Sequence, residues 1–307
     1  MDRLDAMTVL LTAVQAGSLS AGGRRLGMPL ATVSRKVSEL EAHLNARLLN
    51  RSTRRLELTD AGRDYVEACK RILDAVGEAE REAAGEYRRP QGELVITAPM
   101  VFGRLHVLPI VSEFLLAYPE VTVRLVLGDR ISHLLEEHLD LAVRIGTLPD
   151  SSFRATAVGS MRRVVCASPA YLALRGEPRS PTDLSAHDCI TFDAVEAADR
   201  WTFQIGAQST VVPIRSRLIV NTAEAAVDAA KAGLGLSRLL SYQIDAARRA
   251  QELAVVLAAF EPPPIPVSLV FNAQQRITLK LRAFLDFAAP RLRDRFAELA
   301  QAGELSH

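Results

Sequence analysis

The side chains with the clearest chemistry in this chain are basic and are concentrated near its start. Between Ser18 and Arg55 the basic residues exceed the acidic ones by six charges, whereas the whole chain of 307 residues carries a formal net charge of only +1. A local excess of this kind suits the phosphate backbone of a nucleic acid. The acidic residues there are Glu39 and Glu41, and the basic ones are Arg24, Arg25, Arg35, Lys36, Arg47, Arg51, Arg54 and Arg55.

The residue types that support catalysis or metal binding are scattered. The three cysteines, Cys69, Cys166 and Cys189, are too widely spaced for a CxxC pair, so we expect buried free thiols. The six histidines fall at no metal-ligand spacing, and no Ser-His-Asp arrangement is present. The segment from Gly233 to Gly235 lacks the third glycine of a dinucleotide loop. The sequence therefore predicts neither an enzyme, nor a metal site, nor a cofactor.

Two short helices are predicted before the main group of basic residues. Apolar residues at helical spacing indicate a first helix over residues 4–16, and Ser18 or Ser20 can cap a second helix. Gly22 and Gly23 lie inside the second helix, where each costs about 1 kcal/mol relative to alanine. Either close packing requires these glycines or the second helix is marginal.

The third predicted helix carries the candidate base-reading side chains. It follows the turn at Met28-Pro29, runs from Leu30 to about Leu44, and directs apolar residues such as Val33 toward the first two helices. A helix of this kind, presented to the major groove, meets base edges and phosphates with its outward and leading sides. Those sides carry Leu30, Ala31, Thr32, Ser34, Arg35 and Ser38.

A basic hairpin is predicted directly after the third helix. The segment ARLLNRSTRRLELT, residues 46–59, alternates loosely around a polar tip, which is typical of two short strands. Arg51, Arg54 and Arg55 are placed to reach the sugar-phosphate backbone or the minor groove. Residues 1–59 are therefore predicted to form a winged helix-turn-helix DNA-binding domain.

One long, heavily charged helix is predicted over residues 60–89. Apolar and small residues, among them Ala61, Tyr65, Cys69 and Ile72, recur at steps of three and four, and the helix would be about 40 Å long at 1.5 Å per residue. This stripe predicts pairing with the same helix of a second copy. The alternative is a solvated connector.

From residue 92 onward the sequence predicts an α/β fold, which makes the chain α/β overall. Strands that alternate with helices favour a parallel sheet covered on both faces. Two lobes are predicted, the first from residues 92–161 plus 266–301 and the second from residues 162–265. Two crossings between the lobes, one near Gly159 and one near Pro262 to Pro266, make a hinge with a cleft for a small molecule.

Taken together, these motifs resemble the LysR-type transcriptional regulators over essentially the whole chain. The resemblance rests on ELEAHLNARLLNRSTRRLELTDAGR, the long helix, DLAVRIG, the segment Ala167 to Leu172 and AGLGLSRLL. It implies a winged helix-turn-helix, a linker helix and a periplasmic-binding-protein-like effector domain. It also implies a homodimer or homotetramer that binds double-stranded DNA of approximate two-fold symmetry and a small-molecule effector, with RNA polymerase as a further partner.

The resemblance assigns roles to single positions in the third helix. Ser34 and Arg35 match the family's Ser-Arg pair, which contacts phosphate or base, and Thr32 and Lys36 are weaker candidates. Leu30 stands where many members have a polar residue that reads a base, so contact with a thymine methyl and simple packing remain alternatives. The full predicted DNA-contacting set is Ser20, Leu30, Ala31, Thr32, Ser34, Arg35, Lys36, Arg51, Arg54 and Arg55.

The predicted effector site is the start of the helix after strand ELVITA. Pro99 is expected at the first helical position, which leaves the backbone N–H groups of Met100, Val101 and Phe102 free to hold a carboxylate. Family members often have Ser or Thr at this helix start, so Pro99 and Met100 favour a less polar ligand, or none.

Three further residues complete the predicted effector site. Phe192 and Asn221 follow strands of the second lobe and are expected to face the helix start from across the cleft. Arg144, in the strand DLAVRIG, is a charge partner for the effector or a support for the site; the alternative is an internal ion pair with Asp140 or Asp129. The predicted ligand is a small carboxylate or an aromatic compound.

Two other protein classes compete with this interpretation. A solute-binding protein that resembles only the back half would carry a secretion signal and no basic head, whereas the start MDRLDAMTVLLTAVQAG contains Asp2 and Asp5. An enzyme with an α/β core and a DNA-binding appendage would turn over its ligand. No run of 18 apolar residues appears, so the sequence favours a cytoplasmic protein without a membrane partner.

Overall fold

The computed structural model describes residues 2–51, 56–83, 89–129, 139–147, 153–193, 199–272 and 277–304. The chain divides into two compact units, residues 1–88 and residues 89–307. The first unit consists of helices α1 (Arg3–Gln15), α2 (Leu19–Leu26) and α3 (Leu30–Leu44), strands β1 (Leu49–Arg51) and β2 (Leu56–Leu58), and the long helix α4 (Asp60–Ala83).

Side-chain caps and close packing define the first two helices. Asp2 caps α1, and the Ser18 hydroxyl accepts the Ala21 N–H at the start of α2, so Ser18 rather than Ser20 is the cap. A Cβ atom on Gly22 would lie 2.6 Å from the Cα of Ala13, and one on Gly23 would lie 2.8 Å from the Met28 carbonyl oxygen. Close packing therefore requires both glycines.

Helix α4 is described to Ala83, and residues 84–88 of the predicted linker lie outside the described residues. Its first three turns pack on the head through Val66 and Cys69, and burial raises the pKa of the Cys69 thiol to about 11. Farther along, Ile72 is 41% exposed and Ala75 is also exposed, so the predicted pairing stripe is not covered by described residues of its own unit. Pairing of two α4 helices stays a prediction.

The second unit contains two five-stranded sheets. The first sheet has the order β4-β3-β5-β14-β6, and the prediction of a parallel sheet is correct only for its first three strands. Strand β14 returns from the second sheet and runs antiparallel to both β5 and β6. The strands are β3 (Gly92–Ala98), β4 (Val121–Leu127), β5 (Leu141–Ile145), β6 (Phe153–Met161) and β14 (Ile265–Asn272).

The second sheet has the order β11-β8-β12-β7-β13, with parallel and antiparallel pairs. A separate hairpin, β9–β10, packs against it. The apolar segment VVPIRSRLIV is broken at Ile214-Arg215 and supplies residues to both β10 and β11. The strands are β7 (Arg163–Ala167), β8 (Cys189–Phe192), β9 (Arg200–Ile205), β10 (Gln208–Pro213), β11 (Ser216–Val220), β12 (Leu236–Leu240) and β13 (Ala254–Val256).

Helices cover both sheets. The helix after β3 has a π-helical segment, Gly103–Val107, between its two α-helical parts. The sequence also predicts a short helix from Ile131 to Glu137, and this segment lies outside the described residues. The α-helices of the second unit are α5 (Met100–Phe102), α6 (Leu108–Ala117), α7 (Pro169–Arg175), α8 (Ala223–Lys231), α9 (Ser241–Arg249) and α10 (Leu279–Glu304), and the 3-10 helices are Pro181–Ala186 and Ala258–Phe260.

The chain crosses between the two sheets twice, at adjacent points. Met161, the last residue of β6, pairs with Ile265, the first residue of β14. Next to this pair, the Arg162 guanidinium forms two hydrogen bonds of 2.8 Å with the Glu261 carboxylate. A two-point arginine–carboxylate pair fixes both partners in orientation as well as distance. The crossing strands are therefore joined at one place.

By length and composition alone, the continuous helix Met100–Ala117 could cross a membrane, and the bent pair α1–α2 passes the same test together. Phe102, Val107, Ile110, Val111 and Phe114 of the continuous helix are buried in the core of the second unit. Helix α1 lies in the core of the first unit through Val9 and Leu10, and Leu19 and Leu26 of α2 pack against that core. We therefore interpret these helices as core helices.

Candidate nucleic-acid interface and ligand site

Helix α3 presents a divided surface. Val33, Val37 and Leu40 are buried against α1 and α2, at 0%, 3% and 0% exposure. The rest of the helix surface carries Leu30 in the first turn at 51% exposure, together with the exposed Ala31 and Arg35 and the half-buried Thr32, Ser34 and Lys36. The predicted base-reading residues therefore share one side and the leading end of a helix that is anchored from behind.

Two of the candidate cations on α3 have acidic partners of different character. The Arg35 guanidinium lies 2.6 Å from the Glu39 carboxylate, in a pair whose side chains are 64% and 40% exposed. Exposed pairs of this kind contribute roughly 0–1 kcal/mol, so a phosphate can compete for Arg35. Lys36 instead forms a part-buried ion pair with Asp5 of α1, which ties α3 to the first helix. Lys36 therefore has a structural partner, and Arg35 is the more available cation.

The start of α3 carries no side-chain cap. Pro29 is the N-cap residue, with φ −59° and ψ 144°, and it has no side chain that can accept a hydrogen bond. Helix starts expose backbone N–H groups and the positive end of the helix dipole, which favour a phosphate. The exposed residues Leu30 and Ala31 stand at this end. The other predicted contact, Ser20, accepts a hydrogen bond of 3.0 Å from Arg24 on the exposed side of α2.

The wing is a two-stranded antiparallel hairpin. Leu49 pairs with Leu58, Asn50 with Glu57, and Arg51 with Leu56. Arg51 is therefore the last residue of β1 in this hairpin. Arg54 and Arg55 lie outside the described residues. Contacts from these three arginines to DNA stay predictions.

At the start of α5, the structure corrects two expectations. Pro99 is the N-cap residue, with an extended ψ of 143°, so the helix begins at Met100 rather than at Pro99. The Met100 N–H is not free, because it donates a hydrogen bond of 3.1 Å to the Asp129 carboxylate. Asp129 follows β4, which lies beside β3 in the sheet, so the parallel pair delivers this carboxylate to the helix start.

The other predicted positions at this helix start are largely covered. Val101 and Phe102 are 4% and 1% exposed, and the Phe102 ring packs edge-on against Tyr242 of α9 with 5.5 Å between ring centroids. Tyr242 is itself buried, and burial raises the pKa of its hydroxyl above its usual range. Helix α9 of the second sheet therefore contacts α5 of the first, at the place predicted for the effector.

Two acidic side chains, Asp129 and Glu224, influence each other at this place. Burial raises the pKa of Asp129, the hydrogen bond from Met100 opposes the rise, and the nearby Glu224 adds to it. Glu224 stands in the first turn of α8, and its carboxylate lies 4.0 Å from the Arg104 guanidinium. A ligand carboxylate at the Met100 N–H therefore has to displace Asp129 in a place that already disfavours a second negative charge.

The remaining predicted effector residues differ in exposure. Phe192, at the end of β8, is 3% exposed and belongs to the core, whereas Asn221, just after β11, is exposed. Arg144 is half-buried on β5, opposite Ser268 of β14. Asp140, the acid proposed to pair with Arg144 internally, accepts the Val95 N–H at 2.8 Å. The structure brings Met100, Val101 and Phe102 together, and the effector roles of all seven residues stay predictions.

A buried histidine near this site was not singled out from the sequence. His106, in the π-helical segment, is 6% exposed, and neither of its ring nitrogens has a hydrogen-bond partner among the residues that the structure describes. Its ring lies 4.8 Å from Phe102 and 5.7 Å from Tyr242, measured between centroids. Burial lowers its pKa to about 4; Arg295 adds to the shift and Asp245 opposes it. A lone histidine in an apolar helix gives no sequence signal of this environment.

Metal binding and thiol chemistry find little support in the described ranges. Among the described residues, no group of three or more His, Cys, Asp or Glu side chains is arranged to hold a metal ion. Cys166 and Cys189 are buried in the second sheet, and burial raises the pKa of each thiol to about 12. Such thiols are poor nucleophiles at neutral pH.

Two family models match the chain. Residues 4–63 match the bacterial regulatory helix-turn-helix protein of the lysR family, and residues 88–293 match the LysR substrate binding domain. A helix-turn-helix-type transcriptional regulator of Xanthomonas campestris pv. campestris is 36% identical over 295 residues, which cover 94% of this chain and 85% of the relative. The transcriptional activator AaeR of Escherichia coli is 30% identical, with coverage of 100% of this chain and 98% of the relative.

A solved structure of a LysR-type regulator is also similar to this chain. The structure of CrgA, a LysR-type transcriptional regulator from Neisseria meningitidis, is 31% identical and has a TM-score of 0.60. The match covers 94% of this chain and 98% of that chain, so it includes both compact units. The basic head and the two-sheet unit are therefore parts of one known architecture.

Proposed function

Because the chain belongs to the LysR family of transcriptional regulators, we propose that α3 and the wing contact DNA and that the cleft between the two sheets binds the effector. The protein is a DNA-binding transcriptional regulator with a helix-turn-helix domain and a substrate-binding domain, and its relatives are regulators rather than enzymes. Residues 4–63 supply the first of these domains and residues 88–293 supply the second.

The observation that carries the DNA-binding proposal is the surface of α3. A helix whose apolar side is fully buried and whose start, with Leu30, Ala31 and Arg35, is exposed is arranged to enter a groove without rearrangement. The proposed contacts are the residues predicted from the sequence, with Arg35 and Ser34 foremost. Lys36 takes a supporting role because of its pair with Asp5.

The proposed site on DNA has approximate two-fold symmetry, because we infer a homodimer, or a tetramer built from dimers, through the exposed stripe of α4. Ile72 is the largest exposed apolar residue of that stripe. Selection of sites from a random DNA pool by the full-length protein is expected to enrich an inverted repeat. Enrichment of no site, or of a single unrepeated half-site, would count against this proposal.

Sedimentation of α4 variants tests the proposed oligomer. Ile72→Glu places a charge in the proposed helix pair and is expected to lower the assembly mass in sedimentation at micromolar concentration. Asp74→Lys, a charge change on the opposite and exposed side of α4, is the matched control and is expected to leave the mass unchanged. Equal masses for wild type and Ile72→Glu would remove α4 as the pairing element.

For the effector we propose a small, largely apolar molecule with an aromatic ring or a carboxylate, bound near Met100, Arg144 and Asn221. A carboxylate has to take the Met100 N–H from Asp129, so its binding is expected to strengthen where Asp129 is protonated or neutral. The test is a thermal-shift screen of aromatic and aliphatic carboxylates on the full-length protein and on Asp129→Asn, at pH 5 and pH 8.

Two outcomes separate the alternatives. A carboxylate that stabilises Asp129→Asn more than wild type, with the difference largest at pH 8, supports binding at the helix start. Equal stabilisation of both proteins at both pH values would place the ligand elsewhere. Uncharged aromatic compounds serve as the control, because their binding is expected to be independent of the Asp129 charge.

The proposed mechanism links the two ends of the chain. Effector binding changes the angle between the two sheets of the second unit, and through the oligomer it changes the spacing of the paired heads on DNA. We place this activity in the cytoplasm, with RNA polymerase as a further partner. Energy transfer between dyes at the two ends of the selected DNA is expected to change on addition of the effector; an unchanged signal with bound effector would overturn the mechanism.

A further inference from the structure

A carboxylate from the recognition helix holds the base of the wing. Glu41 lies in the last turns of α3, and its Oε1 atom accepts the backbone N–H of Leu48 at 2.8 Å and that of Leu49 at 3.1 Å. Leu48 and Leu49 are only 1% and 6% exposed. Hydrogen bonds to an ionised acceptor are stronger than those between neutral groups, so one oxygen makes two strong bonds to consecutive residues.

The same short stretch is held from the other side by the start of α4. The Thr59 N–H donates to the Leu48 carbonyl at 3.0 Å, and the Thr59 hydroxyl donates to the Arg47 carbonyl at 2.6 Å. The Gly62 N–H in turn donates to the Thr59 hydroxyl at 2.9 Å. The chain that leaves α3 is therefore clamped between Glu41 and Thr59 just where β1 begins.

We propose that Glu41 is a positioning residue for DNA binding: it sets the direction in which the wing leaves α3, and thereby the placement of the wing arginines on the DNA backbone. Glu41 itself contacts no DNA. The inference rests on the proposed function, namely that α3 reads bases while the wing contacts the backbone. It adds the residue that couples these two contacts.

The coupling matters because both elements have to fit one duplex at once. The wing is attached to α3 through Leu48 and Leu49, so a small rotation there displaces residues farther along the wing. A change of about 10° in the direction of a strand moves a point 15 Å along it by about 3 Å, which is more than a hydrogen bond tolerates. Loss of the Glu41 bonds is therefore expected to separate the wing from its phosphates while α3, anchored by Val33, Val37 and Leu40, keeps its place.

Simple electrostatics predicts the opposite result, which makes the proposal testable. Glu41 is one of only two acidic residues in the basic stretch from Ser18 to Arg55, so its removal makes the head more positive. A more positive head by itself binds DNA more tightly. Weaker binding after removal of this negative charge therefore requires a positional role.

The experiment compares full-length variants on the DNA selected from the random pool, in titrations at several salt concentrations. Glu41→Ala is expected to bind about tenfold more weakly and to lower the salt slope by about 1–2, because each lost phosphate contact contributes roughly 0.9. The ratio of affinities for the selected site and for single-base variants under α3 is expected to stay unchanged. Glu41→Gln is expected to recover most of the affinity, since one amide oxygen can accept both N–H groups.

Two reference variants make the result decisive. Asp74→Ala removes the same charge from an exposed position of α4 and is expected to bind as wild type or more tightly. Arg51→Ala tests the wing itself and is expected to lower the salt slope by about 1. If Arg51→Ala changes nothing, the wing contact of the proposed function fails, and the role of Glu41 fails with it.

The remaining outcomes bear on Glu41 alone. If Arg51→Ala lowers the slope but Glu41→Ala behaves like Asp74→Ala, the positioning role is overturned while the wing contact stands. If Glu41→Ala loses base discrimination together with affinity, or if Glu41→Gln is as weak as Glu41→Ala, the role is general folding support and the proposal is also overturned. Glu41→Gln keeps the test valid if the alanine variant unfolds the head.

Discussion

Helices α3 and α5 begin in the same way and end up in opposite environments. Each follows a proline N-cap with nearly the same backbone, φ −59° and ψ 144° at Pro29 and φ −55° and ψ 143° at Pro99. The start of α3 is exposed, with Leu30 at 51%. At the start of α5, Met100 is 36% exposed, but Asp129 accepts its N–H and the Tyr242 ring packs against Phe102.

The difference shows what a helix start offers to an anion. Both starts have the positive end of a helix dipole, which favours a phosphate or a carboxylate. At α3 that end faces outward beside basic side chains, so a DNA phosphate can reach it. At α5 a carboxylate of the protein already occupies it, and Glu224 adds negative charge nearby. The same local geometry therefore leaves one helix start open to the proposed DNA phosphate, whereas the other is already bonded to a carboxylate of the protein.

The largest expected effect comes from making α3 resemble α5. Ala31→Asp puts a carboxylate at the open helix start, where it repels DNA phosphate but interacts favourably with the helix dipole. We expect affinity for the selected DNA to fall by about 100-fold or more, while the head gains up to about 1 kcal/mol of stability. Anisotropy titration and thermal unfolding measure the two effects.

Ala42→Asp, an equal charge change in the exposed last turn of α3, is the control for Ala31→Asp. It is expected to weaken binding much less and to lower stability slightly, because a negative charge at the end of a helix opposes the dipole. Similar losses of affinity for the two variants would mean that the start of α3 has no special place at the DNA.

A second variant acts on the packing that holds the start of α3. A Cβ on Gly23 would lie 2.8 Å from the Met28 carbonyl, in the turn that leads into α3. Gly23→Ala is therefore expected to destabilise the head by about 1–3 kcal/mol despite the higher helix propensity of alanine. Chemical denaturation measures this, and Ser20→Ala on the exposed side of α2 is the control. An unchanged or higher stability for Gly23→Ala would contradict the close approach.

The buried histidine of the second unit predicts a dependence of stability on pH. His106 has a folded pKa of about 4, below its ordinary value of 6.5. The unfolded chain therefore binds the proton more tightly, so stability is complete above pH 6.5 and falls as the pH drops toward 4. The expected loss is about 2 kcal/mol at pH 5.

Thermal unfolding of the second unit between pH 4 and pH 8 measures this loss. His106→Leu is expected to flatten the acid limb, whereas His43→Gln, a change at an exposed position of α3, is expected to leave it unchanged. If His106→Leu still loses stability as the pH falls toward 4, other titratable groups cause that loss.

The smallest expected effect concerns the carboxylate that closes α5. Burial and Glu224 raise the pKa of Asp129, so the folded state holds its proton more tightly than the unfolded state does. The contribution of this group to stability is therefore present at low pH and is lost as the pH rises above the ordinary pKa of 3.8. Asp129→Asn is expected to be at least as stable as wild type at pH 7 and to lose that advantage near pH 4. A reversed order would contradict the pKa direction.

The head was predictable from sequence because its signals are local. Ser18, Gly27 and Pro29 mark helix boundaries within a few residues of the positions they control, and the predicted third helix coincides with α3. The family and the function as a regulator followed from the same motifs. The sequence leaves the reason for Gly22 and Gly23 open, because it depends on how closely Gly22 approaches Ala13 of α1 and Gly23 approaches the Met28 carbonyl.

The second unit was harder because its determinants are distant in sequence. Strand β6 is largely exposed and shows no regular apolar alternation; it forms because its backbone pairs with β14, more than 100 residues later. Helix α9 follows β12 without a turn, so no boundary signal separates them. Asp129 and Tyr242 reach the start of α5 only through the sheet order and the contact of α9 with α5. The hydrogen bond from Met100 to Asp129, which takes up the predicted anion site, could therefore not be predicted from the sequence.

The measurement that tests the central claim most directly is the affinity of full-length Arg35→Ala for the DNA selected by the wild type. Arg35 is exposed on α3 and forms a surface pair with Glu39. We predict an affinity at least tenfold weaker than that of wild type, with unfolding temperature unchanged, and wild-type affinity for Arg282→Ala, an exposed control on α10. Equal affinities for wild type and Arg35→Ala would contradict the assignment of α3 as the DNA-reading element.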